Sequence, residues 1–268
     1  MSEFKKVMNQ IARTNGKTLS PEFNKLVIIA QKDEKKKVPI SKILKSGVLA
    51  KHLFLVCILS MLGNMFYVGL EFNLHNMTGN TFVNFFILAV FEIPGSIIVS
   101  YCTDKFGRRL TSAVFGILSA ACIILTIPFI YNKWAIVALC GISKSFIGGL
   151  FIGIYKQIGE LFPTPLRATA YGITGIAGFA STVVVPSITA LGAKDPRITY
   201  YFLFGFSLLI TLFGSLVPET LGLPYPQTIR EALLIGKDQS YFSIYYKGKV
   251  RNLFKPVKKN SDQEMKTV

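Results

Sequence analysis

Glu92 and Lys144 stand inside long apolar runs and are the first candidates for chemistry in this chain. An ionised group near the middle of a bilayer costs on the order of 2.5 to 3.5 kcal/mol even on lenient scales, so such residues face a bundle interior or a wet cavity. A carboxylate and an ammonium there can hold a charged solute, or they can hold each other. Cavity lining and a purely structural ion pair are therefore the two readings. A second set of charges lies at the ends of the apolar runs: Asp104, Arg108, Arg109, Glu160, Arg167 and Glu219. The three arginines can pair with Glu160 and Glu219, each solvated pair being worth from about zero to 1 kcal/mol. Asp104 shares a side with the start of the fifth run, where exposed amides favour a carboxylate, and it is expected to cap a neighbouring helix. Contacts of this size suit a latch that breaks and re-forms. The alternative is that they only fix the bundle.

No other chemistry is suggested. The histidines are His52 and His75, and no Ser/His/Asp set, metal-ligand cluster, phosphate loop or ATP-binding motif occurs. Neither an enzyme nor a cofactor is expected. Cys57, Cys102, Cys122 and Cys140 all fall in apolar runs, as small hydrophobes rather than a disulfide framework.

The elements that must position these residues are membrane helices. The chain has 268 residues, 51% of them hydrophobic, and a mean hydropathy of +0.46. That is too apolar for one soluble core. Crossing about 30 Å of hydrocarbon takes roughly 20 apolar residues, and six segments have that length: 53–72, 81–102, 110–130, 134–156, 168–191 and 199–217. Short links make neighbours antiparallel, so the fold class is an all-α integral membrane bundle with a six-helix domain over 53–217. Residues 1–52 read as a basic segment, opening with a short amphipathic helix on Phe4, Val7, Met8 and Ile11 that Asn15-Gly16 ends; 218–268 form a basic tail.

The net charge of +16 does not indicate nucleic acid, because the charge lies between spans rather than on one soluble face. Residues 1–52 carry 12 Lys and Arg, the 103–109 link 3, the 156–167 stretch 2 and the tail 9, against Lys133, Lys194 and Arg197 on the other side. Both termini are therefore expected in the cytoplasm. The basic ends suit anionic inner-leaflet lipid, about 1 kcal/mol per residue. Asn76-Met77-Thr78 is a sequon on the outer side, in a loop close to the membrane.

Several stretches carry a resemblance: Ile11 to Lys17, Tyr67-Val68-Gly69-Leu70, Gly79 to Phe85, and Glu92-Ile93-Pro94-Gly95. Three more lie on the cytoplasmic side: Asp104 to Arg109, Glu160 to Arg167, and Pro218 to Pro224. In this order they resemble the organic cation, anion and carnitine transporter family of the major facilitator superfamily, over residues 4 to 235. Ser100 stands where the superfamily turn usually has a glycine.

The resemblance implies a secondary transporter of small organic ions or solutes, working by alternating access in the plasma membrane. It implies that this chain corresponds to the C-terminal half of a twelve-helix major facilitator fold, alongside a second six-helix half or a copy of itself. It places Tyr67, Glu92 and Lys144 near a central cavity and gives the cytoplasmic charges a gating role. A core-packing role for Tyr67 stays open, and Tyr155 reads as interfacial. Phe179 falls where cation-transporting relatives tend to have an Asp and anion-transporting ones an Arg, so the sign of the substrate is left open. The alternative function is a non-transporting membrane protein that binds or regulates a relative.

Overall fold

The protein is described by a computed structural model that covers residues 2–16, 46–76 and 79–236. The chain divides into two units, residues 1–39 and 40–268. In the first, α1 spans Ser2–Thr14, with Val7 and Ile11 exposed one turn apart. Gly16, at a φ of 64°, follows its end, as the Asn15-Gly16 break predicts. The basic stretch 17–45, the sequon's Met77 and Thr78, and the tail from 237 lie outside the described residues.

The described residues of the second unit are mostly helical. Its elements are α2 (Gly47–Phe72), α3 (Thr81–Phe106), α4 (Arg108–Leu125), α5 (Lys133–Leu161), α6 (Thr164–Ser181), α7 (Val185–Gly192), α8 (Pro196–Leu216) and α9 (Ile229–Leu234). Six spans are long and apolar enough to cross a membrane, α6 and α7 together forming the fifth. Most begin on a side-chain cap that satisfies an orphan amide: Ser46 accepts from Leu49, Asn80 from Phe82, Asn132 from Ala135 and Asp195 from Arg197.

The ends differ from the sequence expectation in several places. The first span begins at Gly47 rather than at 53, and the second runs through the expected link as far as Phe106. The third span stops at Leu125, and a turn carries the chain to Tyr131; Pro128, in that turn, has no amide to continue the ladder. The fifth span changes to a 3-10 turn at Thr182–Val184 just before Pro186. The expected link after residue 156 is helix as far as Leu161, so Glu160 is a helical residue and only Phe162 and Pro163 connect α5 to α6.

α5 is the most buried span and packs on α2, α3, α4 and α6. Glycines make the α3 seam close. A Cβ on Gly149 would sit 2.8 Å from Val99 Cγ2, and one on Gly95 would sit 2.9 Å from the Ser145 Cα. Gly153 faces Thr103, so the Gly149/Gly153 pair packs as its spacing predicts. Gly172 and Gly175 behave differently: no described atom lies within 4 Å of where their Cβ would be. Gly178, three residues further along α6, packs closely against Ser60 and Asn64.

Candidate functional site

The membrane-embedded charges converge. Tyr67 on α2 donates its hydroxyl to Glu92 on α3, at 2.9 Å from Oε2 and 3.1 Å from Oε1. Lys144 on α5 lies 3.5 Å from Glu92 Oε2 and 3.0 Å from Glu71 Oε1. Its ammonium also sits 4.3 Å from the centre of the Tyr67 ring, within cation-π range. Helix geometry explains the grouping, since Asn64, Tyr67 and Glu71 recur at i, i+3 and i+7 on one face of α2.

Beside this cluster is a cavity of about 310 Å³, lined by Asn64, Tyr67, Glu92, Gly148, Phe151, Ile152 and Tyr155. Gly148 keeps its wall open at Glu92, because an added Cβ would lie 3.3 Å from Oε1. Phe151 meets Tyr67 edge-on at 6.3 Å and stacks on Tyr155 at 6.4 Å; Tyr155 stacks on Tyr171 at 6.1 Å. An aromatic ladder thus leads from the charges toward the α5-α6 end of the bundle.

Placed against the sequence expectation, Glu92 and Tyr67 are on the cavity wall. Lys144 is behind it: its side chain is 2% exposed, against 29% for Glu92. The Glu92-Lys144 pair and cavity lining turn out to be one arrangement, not alternatives. Phe179 stands apart from the lining, 71% exposed on α6. Tyr155, read as interfacial, lines the cavity. Glu71 joins the cluster from outside the expected set; its i+4 spacing from Tyr67 is the signal in the sequence.

The second charged set gathers where α3 turns into α4. Arg108 Nη2 binds Glu160 Oε1 at 2.7 Å and Asp104 Oδ1 at 3.4 Å. Glu160 also accepts from the Thr220 hydroxyl. Asp104 meets Lys156 Nζ at 2.9 Å, and the same ammonium donates to Ser100 Oγ at 3.0 Å. Ser100, the departure from the superfamily turn, therefore supplies a polar contact where glycine has none.

The carboxylate at a helix N-terminus is not Asp104. Glu219 accepts the backbone amides of Arg108 at 3.1 Å, Arg109 at 3.0 Å, Thr220 at 2.9 Å and Leu221 at 3.0 Å. It thereby caps α4, whose N-cap Gly107 has no side chain to do so. Asp104, 55% exposed, bridges Lys156 and Arg108 instead. Arg109 also donates Nε to the Ser215 carbonyl. Arg167 joins neither carboxylate among the described residues; its guanidinium lies 5.3 Å from the Tyr225 ring centre, with Nε and Nη2 buried and unpartnered. Lys156 and Thr220 join this set in addition to the expected residues. The i, i+4 spacing of Lys156 and Glu160 was the available signal for the first.

The family model of the Major Facilitator Superfamily matches residues 17–186 and 53–256. The chain is 27% identical over 253 residues to the "Carcinine transporter" of Drosophila melanogaster, covering 90% of this chain and 37% of that protein. It is 28% identical over 247 residues to "Organic cation transporter 1" of Caenorhabditis elegans, covering 88% of this chain and 42% of the relative. The "Organic cation transporter protein" of Drosophila melanogaster is 33% identical over 175 residues, covering 64% of this chain and 31% of its own length. The chain spans about two fifths of the length of the first two relatives, and all three are transporters by name rather than enzymes. From six apolar spans, the charged turn at Asp104 to Arg109 and these matches, the chain belongs to the major facilitator superfamily.

Proposed function

We propose that the chain forms one wall of a transmembrane carrier for small organic cations, working by alternating access within a twelve-helix unit. The carrying observation is Glu92, a carboxylate near the middle of α3 whose side chain is 29% exposed. Lipid does not tolerate that exposure, so this face meets water, solute or another protein surface. Two carboxylates share one ammonium, leaving one negative charge beside the aromatic Phe151 and Tyr155. Such a surface suits an organic cation through charge and ring faces together. The names of the relatives agree with that class.

The charges around Arg108 and Glu160 would hold one end of the bundle closed in one state. That end faces the cytoplasm if the basic excess follows the positive-inside rule, in the plasma membrane. Uptake of labelled organic cations, anions and carnitine decides the reading, with this chain expressed alone and fused to a six-helix half from a relative. Cation uptake by either form supports a carrier. Silence from both, with protein confirmed at the cell surface, would favour a non-transporting role that binds or regulates a relative.

A further inference from the structure

We infer that Glu71 is a positioning residue that sets the sign of the solute, by holding Lys144 so that Glu92 keeps its charge for the cavity. The inference rests on the organic-cation reading and names the residue that enforces it. Lys144 is 2% exposed, while Glu71 and Glu92 are 32% and 29% exposed. A solute entering the cavity therefore meets the Glu92 carboxylate and not the ammonium. The ammonium is not shared equally: Glu71 Oε1 is at 3.0 Å with a hydrogen bond, whereas Glu92 Oε2 is at 3.5 Å.

Glu71 lies one residue from the end of α2, a turn beyond Tyr67, and outside the lining of the cavity. It acts through Lys144. With Glu71 present the lysine is neutralised from that side, and the remaining negative charge resides on Glu92, oriented by the Tyr67 hydroxyl. Without it, Lys144 has Glu92 as its one anionic partner among these groups. The cluster then sums to zero, and a cation loses its attraction while an anion loses its repulsion. Residue 179, being the neutral Phe179, supplies no charge that could take over.

The test is binding by the whole chain in lipid nanodiscs, with benzyltrimethylammonium and benzoate as probes of opposite sign. The wild type is expected to prefer the cation. A unit charge one side chain away, in a wet cavity, amounts to roughly a tenfold change in cation affinity. Glu71→Gln is expected to lower the cation-to-anion preference by about that factor. The double variant Glu71→Gln with Lys144→Met returns the cluster to one negative charge and is expected to restore the preference. A purely structural role for Glu71 would weaken both probes together and leave their ratio unchanged in the single variant. A Glu71→Gln variant that keeps the wild-type ratio overturns the inference while leaving the cation reading intact, as does a double variant no better than the single. A wild type that prefers benzoate, or that binds neither probe both alone and fused to a six-helix half from a relative, overturns the cation reading itself. Should Glu71→Gln fail to fold, the double variant, which leaves no unpaired lysine, decides by its own ratio.

Discussion

Replacing Glu219 with Gln should destabilise the bundle far more than loss of one surface charge would. Its carboxylate takes three amides on Oε1, from Arg108, Thr220 and Leu221, and the Arg109 amide on Oε2. A glutamine offers one acceptor and turns an NH2 toward a buried amide, which is worth about 1 to 3 kcal/mol. Loss of the charge at a partly buried helix N-terminus adds up to about 2 kcal/mol. Taking about 3 kcal/mol in all, melting should fall by roughly 6 to 12 °C for a domain of this size. Circular dichroism in detergent reads that shift. Gly107→Ala probes the same contact from the other side. Its φ of 100° penalises any side chain, by about 1 to 2 kcal/mol, and the new methyl would lie 2.5 Å from Glu219 Oε2. In a Glu219→Ala background that collision vanishes and only the backbone cost remains. The two changes should therefore be less than additive, by about 1 kcal/mol or more. Additivity within about 0.5 kcal/mol, or a Glu219→Gln protein that melts with the wild type, would refute the capping role.

The glycines give opposite signs within one family of substitutions. Gly149→Ala forces a methyl against Val99 and should cost about 1 to 3 kcal/mol by overpacking, whereas Gly172→Ala has open space and should stabilise by about 0.4 to 1 kcal/mol; the same melting experiment compares them. Asp104→Lys removes the contacts to Lys156 and Arg108 and should raise the labelling of cysteines from the α3-α4 side, with unchanged labelling counting against a latch. Glu92→Gln should lose cation binding and leave the Tyr67 hydroxyl with a neutral acceptor; full wild-type affinity for benzyltrimethylammonium would remove Glu92 from the site.

The six spans were legible because length and apolarity are demands of the bilayer on each segment separately, needing no knowledge of partners. Their ends were not. Gln157 and Glu160 read as the start of a link, yet the helix runs on to Leu161, where Arg108 and Thr220 arrive from distant segments to meet Glu160. The gathering of Arg108 with Glu160 was foreseen from residue type and side. That Glu219 rather than Asp104 would cap a helix was not, since the segment after α8 folds back under α4 and no local spacing announces it. Glu71 escaped for a related reason. A charge one residue from the end of a span is ordinary, and only the approach of α2 to α5 turns it into the nearer partner of a buried lysine.

Both charged sets share α5. At about 1.5 Å per residue, about 24 Å of helix separates Lys144 from Glu160, with Gly148, Phe151 and Tyr155 of the cavity between them. A tilt of α5 against α3 that repacks the cavity must therefore strain the far end as well. The contacts there differ in how readily they yield. Lys156 to Asp104 is solvent-facing, at 33% and 55% exposure, and breaking it costs at most about 1 kcal/mol. Arg108 to Glu160 is buried, at 9% and 8%, and separating it leaves a desolvated charge, a far larger penalty. The seam that would have to slide is also the one closed by Gly95, Gly149 and Gly153, where backbones touch without long side chains to interlock. In the proposed carrier the exposed pair opens first while the buried one holds the pivot. The bundle then has an exposed contact that breaks readily and a buried one that resists separation.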